Sequence, residues 1–120
     1  MLRLFKINGG AVMLDRQYMI KDKKDLVRYL ECDRIALKKD YKRPRFMKDY
    51  KWRFQILLRK TEYWKNKNGF LKKIIYPYYL FKYKKISRLN CLEIPLNCIR
   101  EGLTIWHLQN IIINDKCKIG

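Results

Sequence analysis

From Cys91 to Gly120 the apolar residues abandon helical spacing and recur at every sixth position. Ile99, Ile105, Ile111 and Cys117 form one such series, and His107, Ile113 and Ile119 form another. A half-buried strand would alternate every second residue, and a helix would repeat at three and four. A period of six instead predicts the flat sides of a triangular coil, each pointing one aliphatic side chain inward and stacking on the next. Gly102, Asn110 and Asn114-Asp115 fall where such sides must turn, and Lys118-Ile119-Gly120 has the form of a further hexapeptide. The expected fold of residues 91–120 is therefore the start of a parallel β-helix.

Upstream the pattern is helical. Asp22 is placed to cap a helix, with Asp25 in its first turn. Leu26, Leu30, Asp33 and Leu37 share one face, so a carboxylate interrupts an apolar stripe. A buried carboxylate needs a partner, and Arg34 or a basic residue of a neighbouring helix can supply it. That makes Asp33 a structural ion-pair member before it is a substrate-facing group. Lys42-Arg43-Pro44-Arg45 is a linker, because proline disfavours helix in the residue before it. A second helix is expected over 47–67, apolar around most of its circumference, with Asn68-Gly69 ending it. A third is expected over 70–89, with a kink or fresh start near Tyr76 caused by Pro77. Its aromatics Tyr76, Tyr78, Tyr79, Phe81 and Tyr83 are expected to pack inward, with Lys82, Lys84 and Lys85 outside. Residues 1–18 show no periodicity and contain Gly9-Gly10, so they are expected to be a poorly ordered extension. The expected domain order is thus 1–18 extension, 19–90 helical domain and 91–120 β-helix.

The formal net charge of +18 favours anionic partners: nucleic acid, a membrane surface or a phosphate-bearing cofactor. Its spread from Lys21 to Arg88, rather than in one block, is better explained by a solvated basic surface, which makes nucleic acid an unfavoured partner. A small basic nucleic-acid-binding protein is kept as an alternative function. No apolar run approaches the roughly 20 residues that span a bilayer, and Met1 to Met13 lacks the plan of a secretory signal. A cytoplasmic protein is expected. Cys32, Cys91, Cys98, Cys117 and the single His107 have no paired spacing of the kind zinc requires. Free buried thiols and no metal are expected.

Three stretches of the tail carry a family resemblance: Ile94-Pro95-Leu96-Asn97, Gly102-Leu103-Thr104-Ile105-Trp106-His107 and Ile111-Ile112-Ile113-Asn114, followed by Lys118-Ile119-Gly120. With Tyr29-Leu30-Glu31-Cys32-Asp33-Arg34-Ile35-Ala36-Leu37 and Trp52-Arg53-Phe54-Gln55-Ile56-Leu57-Leu58-Arg59-Lys60-Thr61-Glu62-Tyr63 upstream, the chain resembles the N-terminal portion of the serine acetyltransferase-like hexapeptide-repeat acyltransferases, from about Met19 to Gly120. The resemblance implies an α+β fold, a helical N-terminal domain followed by the first coils of a left-handed parallel β-helix. It also implies a homotrimer and a role in cysteine biosynthesis. The implied chemistry is acetyl transfer from acetyl-CoA to a hydroxyl, that of L-serine by default. A sugar hydroxyl in surface-polysaccharide biosynthesis is the alternative.

His107 occupies the position of the family's general base. An imidazole there can take the hydroxyl proton as the oxygen attacks the thioester carbonyl. The family pairs this histidine with an aspartate about one coil upstream, where this chain has Leu92 and Glu93; Glu93, Glu101 and Asn97 are the open choices for an orienting partner. The resemblance places the second histidine, the remaining coils and the acetyl-CoA groove after Gly120. Little or no transferase activity is therefore expected of these 120 residues alone.

Overall fold

The Asp22 side chain accepts a hydrogen bond from the Asp25 backbone N–H at 2.9 Å and starts the first helix, α1, Lys23–Ala36, as its position in the sequence predicts. The computed structural model describes residues 19–45 and 48–119, so the expected extension over 1–18 lies outside the described residues. Two further helices follow, α2 (Tyr50–Asn66) and α3 (Phe70–Leu89), and α2 packs against both of the others.

The described residues between α1 and α2 are non-helical, in keeping with Pro44, and are tied down by one carboxylate. Asp49 accepts from the Tyr41 hydroxyl at 2.8 and 2.9 Å, from Lys39 Nζ at 3.0 Å and from the Arg45 backbone N–H at 2.6 Å. Burial alone would raise the Asp49 pKa, but these donors hold it down at about 2.

The expected glycine cap of the second helix and the expected fresh start at Pro77 are not found. Gly69 does have positive φ, +117°, but it stands at the N-terminus of α3, and the residue after α2, Lys67, is extended. Pro77 does not interrupt α3, which runs unbroken from Phe70 to Leu89. Pro77 and Lys73 are exposed, so the carbonyl deprived of its donor is left to water rather than buried unpaired.

The expected α+β architecture, a helical domain followed by β-helix coils, is overturned. Among the described residues there are three helices and no strand, and 92–119 forms an irregular tail laid against α2 and α3. Only two isolated parallel bridges occur, Glu93 with Ile112 and Ile99 with Ile119. Left-handed residues at Cys91, Asn97 and Asn110, and Gly102 at φ +91°, turn the backbone before a ladder can extend. Many of the tail's backbone groups are bonded instead to side chains of α1 and α2, described below.

The tail still supplies much of the core. Leu92, Ile94, Cys98, Ile99, Ile105 and Leu108 pack with Phe54, Leu57 and Leu58 of α2 and Tyr83 of α3. Of the six-residue series, Ile99 and Ile105 are buried, Ile111 is half-buried and Cys117 is exposed. Phe54 and Tyr83 stack with centroids 5.5 Å apart, joining α2 to α3. The inward packing expected of the α3 aromatics holds for Tyr83 alone in full. Tyr78 and Phe81 are exposed, as are Phe70, Leu71 and Ile74 of the same helix.

Candidate functional site

Gln55, Arg59, Glu62 and Asn66 are spaced four, three and four along α2, which puts them on one side of the helix. That polar stripe serves as a template for the tail. The Gln55 amide donates to the Leu103 carbonyl at 2.8 Å and accepts from the Ile105 N–H at 2.8 Å, as a neighbouring strand would. Arg59, fully buried, spends all five of its N–H donors. Nε and Nη2 reach the two Asp33 oxygens at 2.7 and 3.2 Å, Nη1 reaches Glu62 at 3.2 Å, and the carbonyls of Ile99 and Arg100 take the remaining two at 2.8 and 2.7 Å. Its guanidinium also lies 4.8 Å from the Tyr29 ring centroid.

The acids complete the clamp. Asp33 Oδ1 accepts from the backbone N–H groups of Gly102 and Leu103 at 2.9 and 2.8 Å. Glu62 accepts from the Asn97 N–H at 2.8 Å, and Asn97 and Asn66 exchange amide hydrogen bonds at 2.8 and 2.9 Å. Every residue from Ile99 to Ile105 except Glu101 and Thr104 thus has a backbone group held by a buried polar side chain. Two carboxylates share one guanidinium, a net negative charge out of water. Burial pushes the Glu62 pKa up to about 7, against the pull of Arg59 and the Asn97 N–H.

The expected partner for Asp33 is therefore a basic residue of a neighbouring helix. Arg34, the other choice, pairs with Glu31 on the surface. Four polar residues spaced four, three and four along one side of α2 are a signal readable in the sequence, and the expectation of an apolar helix passes over it.

His107 sits just past this clamp. Its neighbours are held: Gln55 fixes Ile105, the Trp106 carbonyl accepts from Lys51 Nζ, and Leu108 is buried. The imidazole itself is exposed, on the rim of an apolar cleft of about 250 Å³ formed with Leu103, Ile105, Ile111 and Ile113. Among the described residues no side chain hydrogen-bonds it. Of the open choices for an orienting partner, Glu101 pairs with Arg28 and Asn97 with Asn66, while Glu93 is exposed and held only through its backbone, by Ile111 and Ile113. The arrangement gives a fixed backbone, a solvent-facing imidazole and a small apolar recess beside it.

All four cysteines are free, but only Cys98 is buried; Cys91 and Cys117 are exposed, contrary to the expectation of buried thiols. Among the described residues no group of His, Cys, Asp and Glu side chains is placed to hold a metal ion. No helix there is long and apolar enough to cross a membrane. Comparison with protein families, curated proteins and solved structures finds no match for this chain.

Proposed function

We propose that the chain presents His107 as the general base of an acyl transfer to a hydroxyl acceptor. Acetyl-CoA is the donor, L-serine the first-choice acceptor and a sugar hydroxyl the second. The observation that carries this reading is the setting of His107. The two residues before it are held, Ile105 by Gln55 and the Trp106 carbonyl by Lys51, while His107 itself is open to solvent beside the cleft.

The cleft, about 250 Å³, falls below the roughly 300–1,000 Å³ typical of ligand pockets. It is suited to a small acceptor and not to a nucleotide-bearing donor, so turnover by this chain alone is expected to be weak or absent. A cytoplasmic setting agrees with the four free thiols.

The chain has a single histidine, so its imidazole resonances need no assignment. L-Serine is expected to shift them saturably, and His107→Ala is expected to abolish any thiol release from acetyl-CoA. Resonances unmoved by serine and by a sugar acceptor, with no His107-dependent turnover, would sink the reading.

A further inference from the structure

Between the α1–α2 linker, α2 and α3 lies a second cleft, of about 580 Å³, well within the size range of ligand pockets. Lys42, Arg43, Arg53, Lys60 and Lys82 line it, and no lining residue is acidic. These cations come from three separate elements. Lys42 and Arg43 come from the linker, Arg53 and Lys60 stand two turns apart on α2, and Lys82 comes from α3.

Two carboxylates of the neighbouring elements, Glu31 and Asp49, make their hydrogen bonds elsewhere. Both oxygens of Glu31 engage Arg34, and Asp49 is buried under Lys39, Tyr41 and the Arg45 N–H. Beside the cations the surface is apolar, formed by Leu30, Ile56, Leu57, Tyr78 and Tyr79. The Tyr78 and Tyr79 rings meet edge-on at 5.4 Å, and Lys82 Nζ lies 5.3 Å from the Tyr78 centroid.

Gathering like charges such as Lys42, Arg43, Lys60 and Lys82 around one recess costs electrostatic energy that a multivalent anion relieves. Arginine forks and lysine ammoniums together suit phosphate oxygens, and the tyrosine faces suit a ring or acyl chain joined to them. We propose that this cleft binds a phosphate-bearing ligand of at least two negative charges, with its apolar or aromatic part seated on Tyr78 and Tyr79. The phosphate belongs to a soluble nucleotide-like molecule or to a phospholipid headgroup. The site is separate from His107 and does not depend on the acyl-transfer reading.

A chain of charge +18 attracts any anion, so the test must separate this cleft from net charge. The triple variant Lys42→Gln, Lys60→Gln, Lys82→Gln is compared with Lys23→Gln, Lys24→Gln, Lys116→Gln, which removes the same charge from exposed positions outside the cleft. Unfolding midpoints verify that both fold, and the exposed Lys82→Gln alone serves as a milder cleft variant. The probes are ADP and inorganic pyrophosphate by calorimetry, and phosphatidylcholine vesicles with and without phosphatidylglycerol by flotation.

ADP is expected to bind saturably, to weaken about tenfold or more in the cleft triple, as loss of charge-assisted contacts requires, and to change little in the control. Binding to the phosphatidylglycerol vesicles alone, lost in the cleft triple, supports the site and assigns the phosphate to a lipid. Equal affinity for pyrophosphate and ADP overturns the role given to the tyrosines. Equal weakening in both triples, or no saturable binding to any probe, overturns the site itself.

Discussion

Arg59 and Asp33, on different helices, meet through two hydrogen bonds of 2.7 and 3.2 Å with both side chains removed from water. The same guanidinium and the same carboxylate then reach past each other to the tail, Arg59 to the carbonyls of Ile99 and Arg100, Asp33 to the N–H groups of Gly102 and Leu103. The ion pair is thus a joint between α1, α2 and a segment with no strand to support it.

Removing Arg59 is expected to be among the most damaging single changes. Arg59→Met leaves Asp33 and Glu62 buried without their cation and two carbonyls without donors, a loss of about 3–5 kcal/mol for a broken buried pair. That is a large share of the roughly 5–15 kcal/mol by which folded proteins are stable. Arg59→Lys keeps the charge but not the fork, and is expected to lose less while still falling well below the parent. Urea midpoints measure both. An Arg59→Met protein as stable as the parent would show the network to be incidental.

Gln55 tests the clamp on His107 more locally. Gln55→Ala strands the Ile105 N–H and the Leu103 carbonyl, at a cost of about 1–3 kcal/mol for buried groups left unsatisfied. The sharper readout is amide hydrogen exchange at Ile105, expected to speed up far more than exchange in α1. The His107 resonances should shift with it. Uniform acceleration across the chain would mean Gln55 supports the whole fold and not this joint.

The sequence makes some of this legible and hides the rest for identifiable reasons. Asp22 declares its cap and Asp33 its need for a cation, because both are local conflicts that a helix must resolve. The six-residue spacing misleads: Ile99 and Ile105 do point into the core, but aliphatic spacing cannot say what bonds the backbone between them. Here Gln55, Arg59 and Asp33 do so, from 40 to 70 positions away. Such partners are not visible in a local pattern. The chemistry of His107 is legible only as a residue type, since the clamp that fixes its backbone is built on a different helix.

The exposed apolar surface of α3 is a further departure from the expected inward packing, and it carries its own prediction. Ile74 and Phe81 are 58% and 68% exposed, so replacing both with serine should change stability by no more than about 0.5 kcal/mol each. Light scattering should show less self-association, as expected when a contiguous apolar patch is broken. A large fall in the unfolding midpoint would mean these side chains are packed in solution.

Glu62 sets the last prediction. Its pKa is raised from 4.5 to about 7, so between those values the folded protein holds a proton that the unfolded chain has released. The stability this group contributes is full below about pH 4.5 and is lost as pH rises through about 7. Asp49, lowered to about 2, acts oppositely: its contribution is present above about pH 4 and is lost as pH falls through 2. Glu62→Gln removes the first dependence and leaves the second. The difference in unfolding free energy between parent and variant, measured at matched pH, cancels the titration of the rest of the chain. That difference should move by about 1–3 kcal/mol against the parent between pH 4.5 and 7.5, as a raised carboxylate requires. A difference that stays flat would mean Glu62 remains ionised beside Arg59, and one that moves in the parent's favour would mean the pair holds it below its ordinary value.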